Sequence, residues 1–99
     1  MVEIEKKDQL IIKFFDRLDA TNATLVAEKI SPDLDVLNQS VMLDVGKLEY
    51  ISSAGLQVIL KCAKAAKAAG QEIFLTGAKE GVMEIFRISG FLTFLKLKE

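Results

Sequence analysis

The sequence predicts an α/β fold: a mixed β-sheet with three or more helices packed mainly on one face, in the order β-β-α-β-α-β-α-β. Three observations carry this. Short apolar runs alternate with stretches whose apolar residues recur at helical spacing. That alternation of strand and helix is the pattern of parallel neighbours joined by helices. The first two runs are separated only by Lys7-Asp8, which adds an antiparallel hairpin and makes the sheet mixed. A chain of 99 residues is long enough for one domain, expected to span 1–99.

Each element has its own warrant. Val2 to Lys6 alternates apolar and charged residues, and Gln9 to Phe15 is rich in Ile and Phe; these are the hairpin strands. Asp16 to Asp19 leads to Thr21 and Asn22, either of which can cap the helix carrying Ala23, Val26, Ala27 and Ile30 on one face. Pro32 is expected to end that helix, because the residue before a proline is pushed out of the α region. Ser40 to Val45 reads as a strand buried on both faces, and Gly46 to Ile51 as a loop. A long helix follows from about Ser53 to Ala69. Its inner face is expected to be Leu56, Ile59, Leu60, Ala63 and Ala66, and its outer stripe Gln57, Lys61, Lys64 and Lys67, with Gly70 past its end. Glu72 to Thr76 is a short buried strand, Lys79 to Ile88 a third helix, and Phe91 to Leu97 a closing strand.

Composition excludes several classes. Thirteen basic and 14 acidic residues leave a net charge of -1, so neither nucleic acid nor an anionic membrane is expected as a partner. The chain has no His and one Cys, Cys62, so no disulfide can close within it and no Cys/His metal cluster can form. No metal or other cofactor is expected. Cys62 lies in a helical apolar pattern and reads as a small core residue. The N-terminus carries charges where a secretory leader needs an apolar stretch, and no run approaches the ~20 apolar residues of a membrane span. A cytoplasmic location is expected.

The candidate working point is the turn Ser52-Ser53-Ala54-Gly55, between a predicted strand and the longest helix. Sheets of this class place function beyond the carboxyl ends of their strands. The turn is also a helix N-terminus, where unpaired amides and the positive end of the dipole tolerate an anion. Two readings of the serines stand side by side. One serine can simply cap the helix. Alternatively, one can accept a phosphoryl group, which the free amides would hold while about 1.5 to 2 negative charges appear on an exposed knob.

The stretch Tyr50-Ile-Ser-Ser-Ala-Gly-Leu-Gln-Val-Ile-Leu60 resembles the signature of the anti-sigma factor antagonist family, whose fold is the STAS domain. Leu18-Asp19-Ala20 before the first helix, and Gly90-Phe91 after the last, are similar to the family pattern at matching positions. The resemblance covers essentially the whole chain. It implies a partner switch in which the unphosphorylated domain binds an anti-sigma factor that is also a serine kinase, so that a sigma factor is freed. Phosphorylation of one serine ends the complex, and a serine phosphatase resets it. Family members commonly read Asp-Ser-Ser/Thr-Gly-Leu, with the serine after the Asp as acceptor. Aligned on Gly55-Leu56, the acceptor falls on Ser53, with Ser52 at the Asp position as second choice and Ala54 at the second hydroxyl position. Asp16 stands where a Gly often precedes the Leu-Asp pair. The implied switch surface comprises Asp19, Ser52, Ala54, Gly55, Leu56 and Gln57. Asp19 has a second reading as the acidic residue that favours the positive end of a helix.

Two other function classes compete with this reading. An enzyme would use Ser53 as nucleophile, but there is no His to act as base and no Gly-x-Ser-x-Gly elbow. Lys61 and Lys64 lie on the order of 12 Å or more along the helix, given its rise of about 1.5 Å per residue. The expectation is no enzyme. The alternative is a non-catalytic adaptor, the same fold docking into another signalling or transport assembly without a sigma factor.

Overall fold

A computed structural model describes residues 1–98. Strands β1 (Val2–Lys6) and β2 (Leu10–Leu18) form the expected hairpin, closed by the Lys7 amide donating to the Gln9 carbonyl at 3.0 Å. Val2 faces Phe14 and Ile4 faces Ile12, so the apolar side of the alternation points to one face. Then follow α1 (Ala23–Asp35), β3 (Val41–Ile51), α2 (Ser53–Ala68), β4 (Ile73–Thr76), α3 (Glu80–Ile88), a single 3-10 turn at Phe91–Thr93 and a two-residue β5 (Lys96–Leu97).

The sheet order is β1-β2-β3-β4-β5, antiparallel at the first pair and parallel at the other three. Each crossover from β2 onward steps in the same direction. Right-handed crossovers that all step one way put their helices on one face of the sheet. The burial pattern shows this layer. Leu10, Ile12 and Phe14 of β2, Val41, Leu43 and Val45 of β3, and Ile73 and Leu75 of β4 are sealed against Val26 and Ile30 of α1, Val58, Ile59 and Cys62 of α2, and Val82 and Phe86 of α3. Burial pushes the Cys62 thiol up to about 12, which keeps it protonated in the core.

Several expectations are corrected. The strand at Val41 is not buried on both faces: Met42 and Asp44 lie half-open on the face that no helix covers. The segment 46–51 is strand rather than loop. Leu48 and Ile51 are fully buried and pair with an extension of β2 through Asp16, Arg17 and Leu18. Two register shifts, after Lys13 and after Asp16, break the period-two alternation on which the sequence reading depends. Asp16 sits at φ 63, the one left-handed residue other than glycine among those described.

Pro32 lies inside α1, which runs on to Asp35. The helix tolerates the lost amide because Val26, Ile30 and Leu34 continue one buried stripe past the proline, which itself is exposed. The buried face of α2 is rotated from the expected one. Val58 and Cys62 join Ile59, Ala63 and Ala66 in the core, while Leu56 and Leu60 are only half-buried at its edge. The closing strand is shorter than expected. Gly90, at φ 80, turns the chain into the 3-10 turn, where Phe91 meets Phe86 edge-on at 6.3 Å and Phe94 at 5.0 Å.

Candidate functional site

The turn at the start of α2 sits at the end of β3, beside the end of β2. The Ser52 amide donates to the Leu18 carbonyl at 3.0 Å, which locks the two parallel strand ends together. Ser52 is the N-cap in extended conformation (φ -100, ψ -179), and its hydroxyl accepts a long 3.4 Å bond from the Gly55 amide. The Ser52 carbonyl accepts the Leu56 amide at 2.9 Å. Gly55 is buried against the end of β2: a Cβ there would lie 2.3 Å from the Leu18 carbonyl oxygen and 2.7 Å from Ile51 Cγ1.

The two serines therefore have different surroundings. Capping is done by Ser52. Ser53 is the first helical residue, is exposed, and its hydroxyl has no hydrogen-bond partner among the described residues. Ala54 is half-buried beside it and Gln57 is exposed one turn on. Ala54 and Gln57 also line a shallow groove of about 310 Å³ between α1 and α2, together with Ala23 and Lys61.

Asp19 is the one charged residue in the buried set, with 8% of its surface exposed. Its Oδ1 accepts from both the hydroxyl and the amide of Thr21, the latter at 2.9 Å, and Arg17 Nε lies 2.7 Å from Oδ2. The Thr21 hydroxyl hydrogen bond, with the Thr21 amide and the Arg17 guanidinium adding to it, holds the Asp19 carboxyl below its ordinary range. Neither Thr21 nor Asn22 caps α1 in the expected way. Asn22 occupies the cap position, but its side chain turns back, accepting from the Asp19 amide at 3.0 Å and donating to the Arg17 carbonyl at 2.8 Å. The Asp19 carbonyl in turn accepts the Ala23 amide at 2.9 Å. Asp19 thus organises the start of α1 and fixes the chain from Arg17 to Asn22, whose Leu18 carbonyl meets the serine turn.

The structure brings the two predicted stretches, Leu18-Asp19 and Ser52 to Gly55, into direct backbone contact. Leu56, expected on the inner face of α2, is half-buried. Arg17 did not stand out in the sequence and Asn22 did so only as a helix cap; the structure instead places both around Asp19. Tyr50 and Leu25, 47% and 58% exposed, are apolar side chains at this same end of the molecule. Lys79 pairs with Glu49 and ties the start of α3 to the end of β3. No group of three His, Cys, Asp or Glu side chains among the described residues is placed to hold a metal, and no described helix is long and apolar enough to cross a membrane.

This fold, with a serine-capped helix start seated on the end of a neighbouring strand, has clear relatives. The STAS domain model matches residues 1–99, and the chain belongs to the STAS domain family. It is 36% identical over 91 residues to BtrV of Bordetella bronchiseptica (strain RB50), a protein named as a candidate anti-sigma factor antagonist; the match covers 91% of this chain and 78% of BtrV. Among solved structures, a STAS domain protein of Planctomyces limnophilus superposes with a TM-score of 0.89 at 14% identity, covering 99% of this chain and 88% of that one. The Bacillus cell-fate determinant SpoIIAA superposes in its phosphorylated form with a TM-score of 0.76 at 17% identity, covering 100% and 92%. In its unphosphorylated form the values are 0.78, 15%, 100% and 88%.

Proposed function

We propose that this chain is an anti-sigma factor antagonist that acts as a non-catalytic partner switch. The unmodified domain binds an anti-sigma factor with serine kinase activity and frees a sigma factor. Phosphorylation of Ser53 ends binding, and a serine phosphatase restores it. The observation that carries this reading is the division of work between the serines: Ser52 caps the helix, which leaves Ser53 exposed with its hydroxyl unengaged. A phosphoryl group on Ser53 would sit at the positive end of α2, where anionic charge is favoured, so modification alters the surface while the fold persists. SpoIIAA, known in both phosphorylated and unphosphorylated forms, matches this fold in each, and the 36% identity to BtrV supports the antagonist role. The interface is expected to comprise Asp19, Ser52, Ala54, Gly55, Leu56 and Gln57, with exposed Tyr50 and Leu25 beside it.

The experiment is intact-mass measurement after incubation with ATP and the cognate kinase, followed by peptide mapping. One added phosphate on Ser53, absent in Ser53→Ala, supports the reading. Phosphate on Ser52 would move the acceptor by one residue. No phosphate at all would favour the adaptor alternative.

A further inference from the structure

Away from the serine turn, a groove of about 530 Å³ opens between the C-terminal half of α2 and the β4–β5 edge. Its lining is mostly apolar, with Leu60, Ile73 and Phe94 among the residues that form it. Phe94 leaves 42% of its surface exposed there. Three lysines, Lys64, Lys67 and Lys96, stand around this apolar surface. Lys96 pairs with Glu72, but neither Lys64 nor Lys67 has a carboxylate partner among the described residues. In a chain of net charge -1 this is a local excess of positive charge over an apolar floor. The volume falls within the range of about 300–1,000 Å³ typical of small-molecule sites. It is too small for a docked protein helix, which is about 10–12 Å across with its side chains, so that roughly one turn would fill it.

We propose that this groove binds a free single-chain alkyl carboxylate of medium length. The chain lies on Leu60, Ile73 and Phe94, and the carboxylate is held by the ammonium groups of Lys64 and Lys67, with Lys96 beside them. Lysine stems can lie along an apolar chain while their heads reach the charge. Neither the serine turn nor Asp19 takes part, so the inference stands independently of the partner switch.

The test is calorimetry and amide-shift NMR on the full chain with hexanoate, octanoate and decanoate, each kept below its micelle concentration. Affinity is expected to rise by roughly three- to fourfold per added methylene, the increment for burying one CH₂. Shifts should gather in residues 60–73 and 94–96. Decyltrimethylammonium should bind at least roughly tenfold more weakly than decanoate, and the double variant Lys64→Gln/Lys67→Gln should lose roughly tenfold for decanoate with unchanged melting. Absence of decanoate binding, equal affinity for the cationic amphiphile, unchanged affinity in the double variant, or shifts centred on the open sheet face around Ile11 and Met42 would each overturn the proposal.

Discussion

Gly55 and Leu18 approach so closely that a single added carbon on Gly55 would lie 2.3 Å from the Leu18 carbonyl oxygen. The obstacle is backbone, so no side-chain rotation relieves it. Gly55→Ala is therefore expected to lower stability by about 1–3 kcal/mol, the usual cost of overpacking, and to push α2 off the end of β2. Urea unfolding reads the first effect, and loss of amide protection at Ser52 reads the second. A variant as stable as the parent would mean that the two segments part easily.

The serines should separate by stability as well as by modification. Ser52→Ala removes the α2 cap and is expected to cost about 0.5–1 kcal/mol, the low end for a cap because its bond is long. Ser53→Ala should stay within about 0.5 kcal/mol of the parent, as exposed substitutions do. Ser53→Asp places a negative charge at the positive end of the helix and should hold or gain up to about 1 kcal/mol. In the proposed switch, that same variant weakens partner binding. Urea denaturation curves of the three variants check the order; Ser53→Ala proving the costlier of the two alanine substitutions would reverse the assignment.

Asp19 predicts a pH dependence. Its carboxyl is held below the ordinary range in the folded protein by Thr21 and Arg17. A depressed carboxylate contributes stability that is present above its unfolded pKa of about 3.9 and is lost as pH falls through its lower folded value. Melting temperature should therefore drop more steeply below about pH 4 in the parent than in Asp19→Asn. Parallel curves for the two proteins would show that the network around Asp19 makes no difference to folding.

Asp16 carries the strain of a left-handed backbone without being glycine. Asp tolerates this conformation better than most residues, and β-branched residues tolerate it worst. Asp16→Gly is expected to match or exceed the parent in stability, while Asp16→Val should lose about 1–3 kcal/mol. Thermal melts of the three proteins rank them directly; a stable valine variant would mean that the backbone there can relax.

The order of strands and helices was legible because each core segment carries its own period: Ile4 with Ile12 in the hairpin, and Val26 with Ile30 on α1. The segments that misled are those where a local signal was overruled by packing. Pro32 argued for a helix end, yet Leu34 had a core to enter. Gly46 and Lys47 argued for a loop, yet Leu48 and Ile51 were needed opposite Asp16 and Leu18, and two register shifts hid their alternation. At the candidate site, Ser52 to Gly55 stood out because a helix start and a glycine coincide there. Asp19, Thr21 and Asn22 were each marked by residue type, but the hydrogen bonds that join them with Arg17 were not. They form where the chain leaves β2 and folds over the Asp19 carboxylate, and nothing in residue spacing announces those contacts.

The bond from the Ser52 amide to the Leu18 carbonyl joins segments more than thirty residues apart in the chain. An antibody raised against a peptide covering Tyr50 to Leu60 would meet the right letters in the wrong shape, since the peptide lacks the strand end that holds the turn. Any reagent meant to report on Ser53 in the native protein has to be selected on the folded chain.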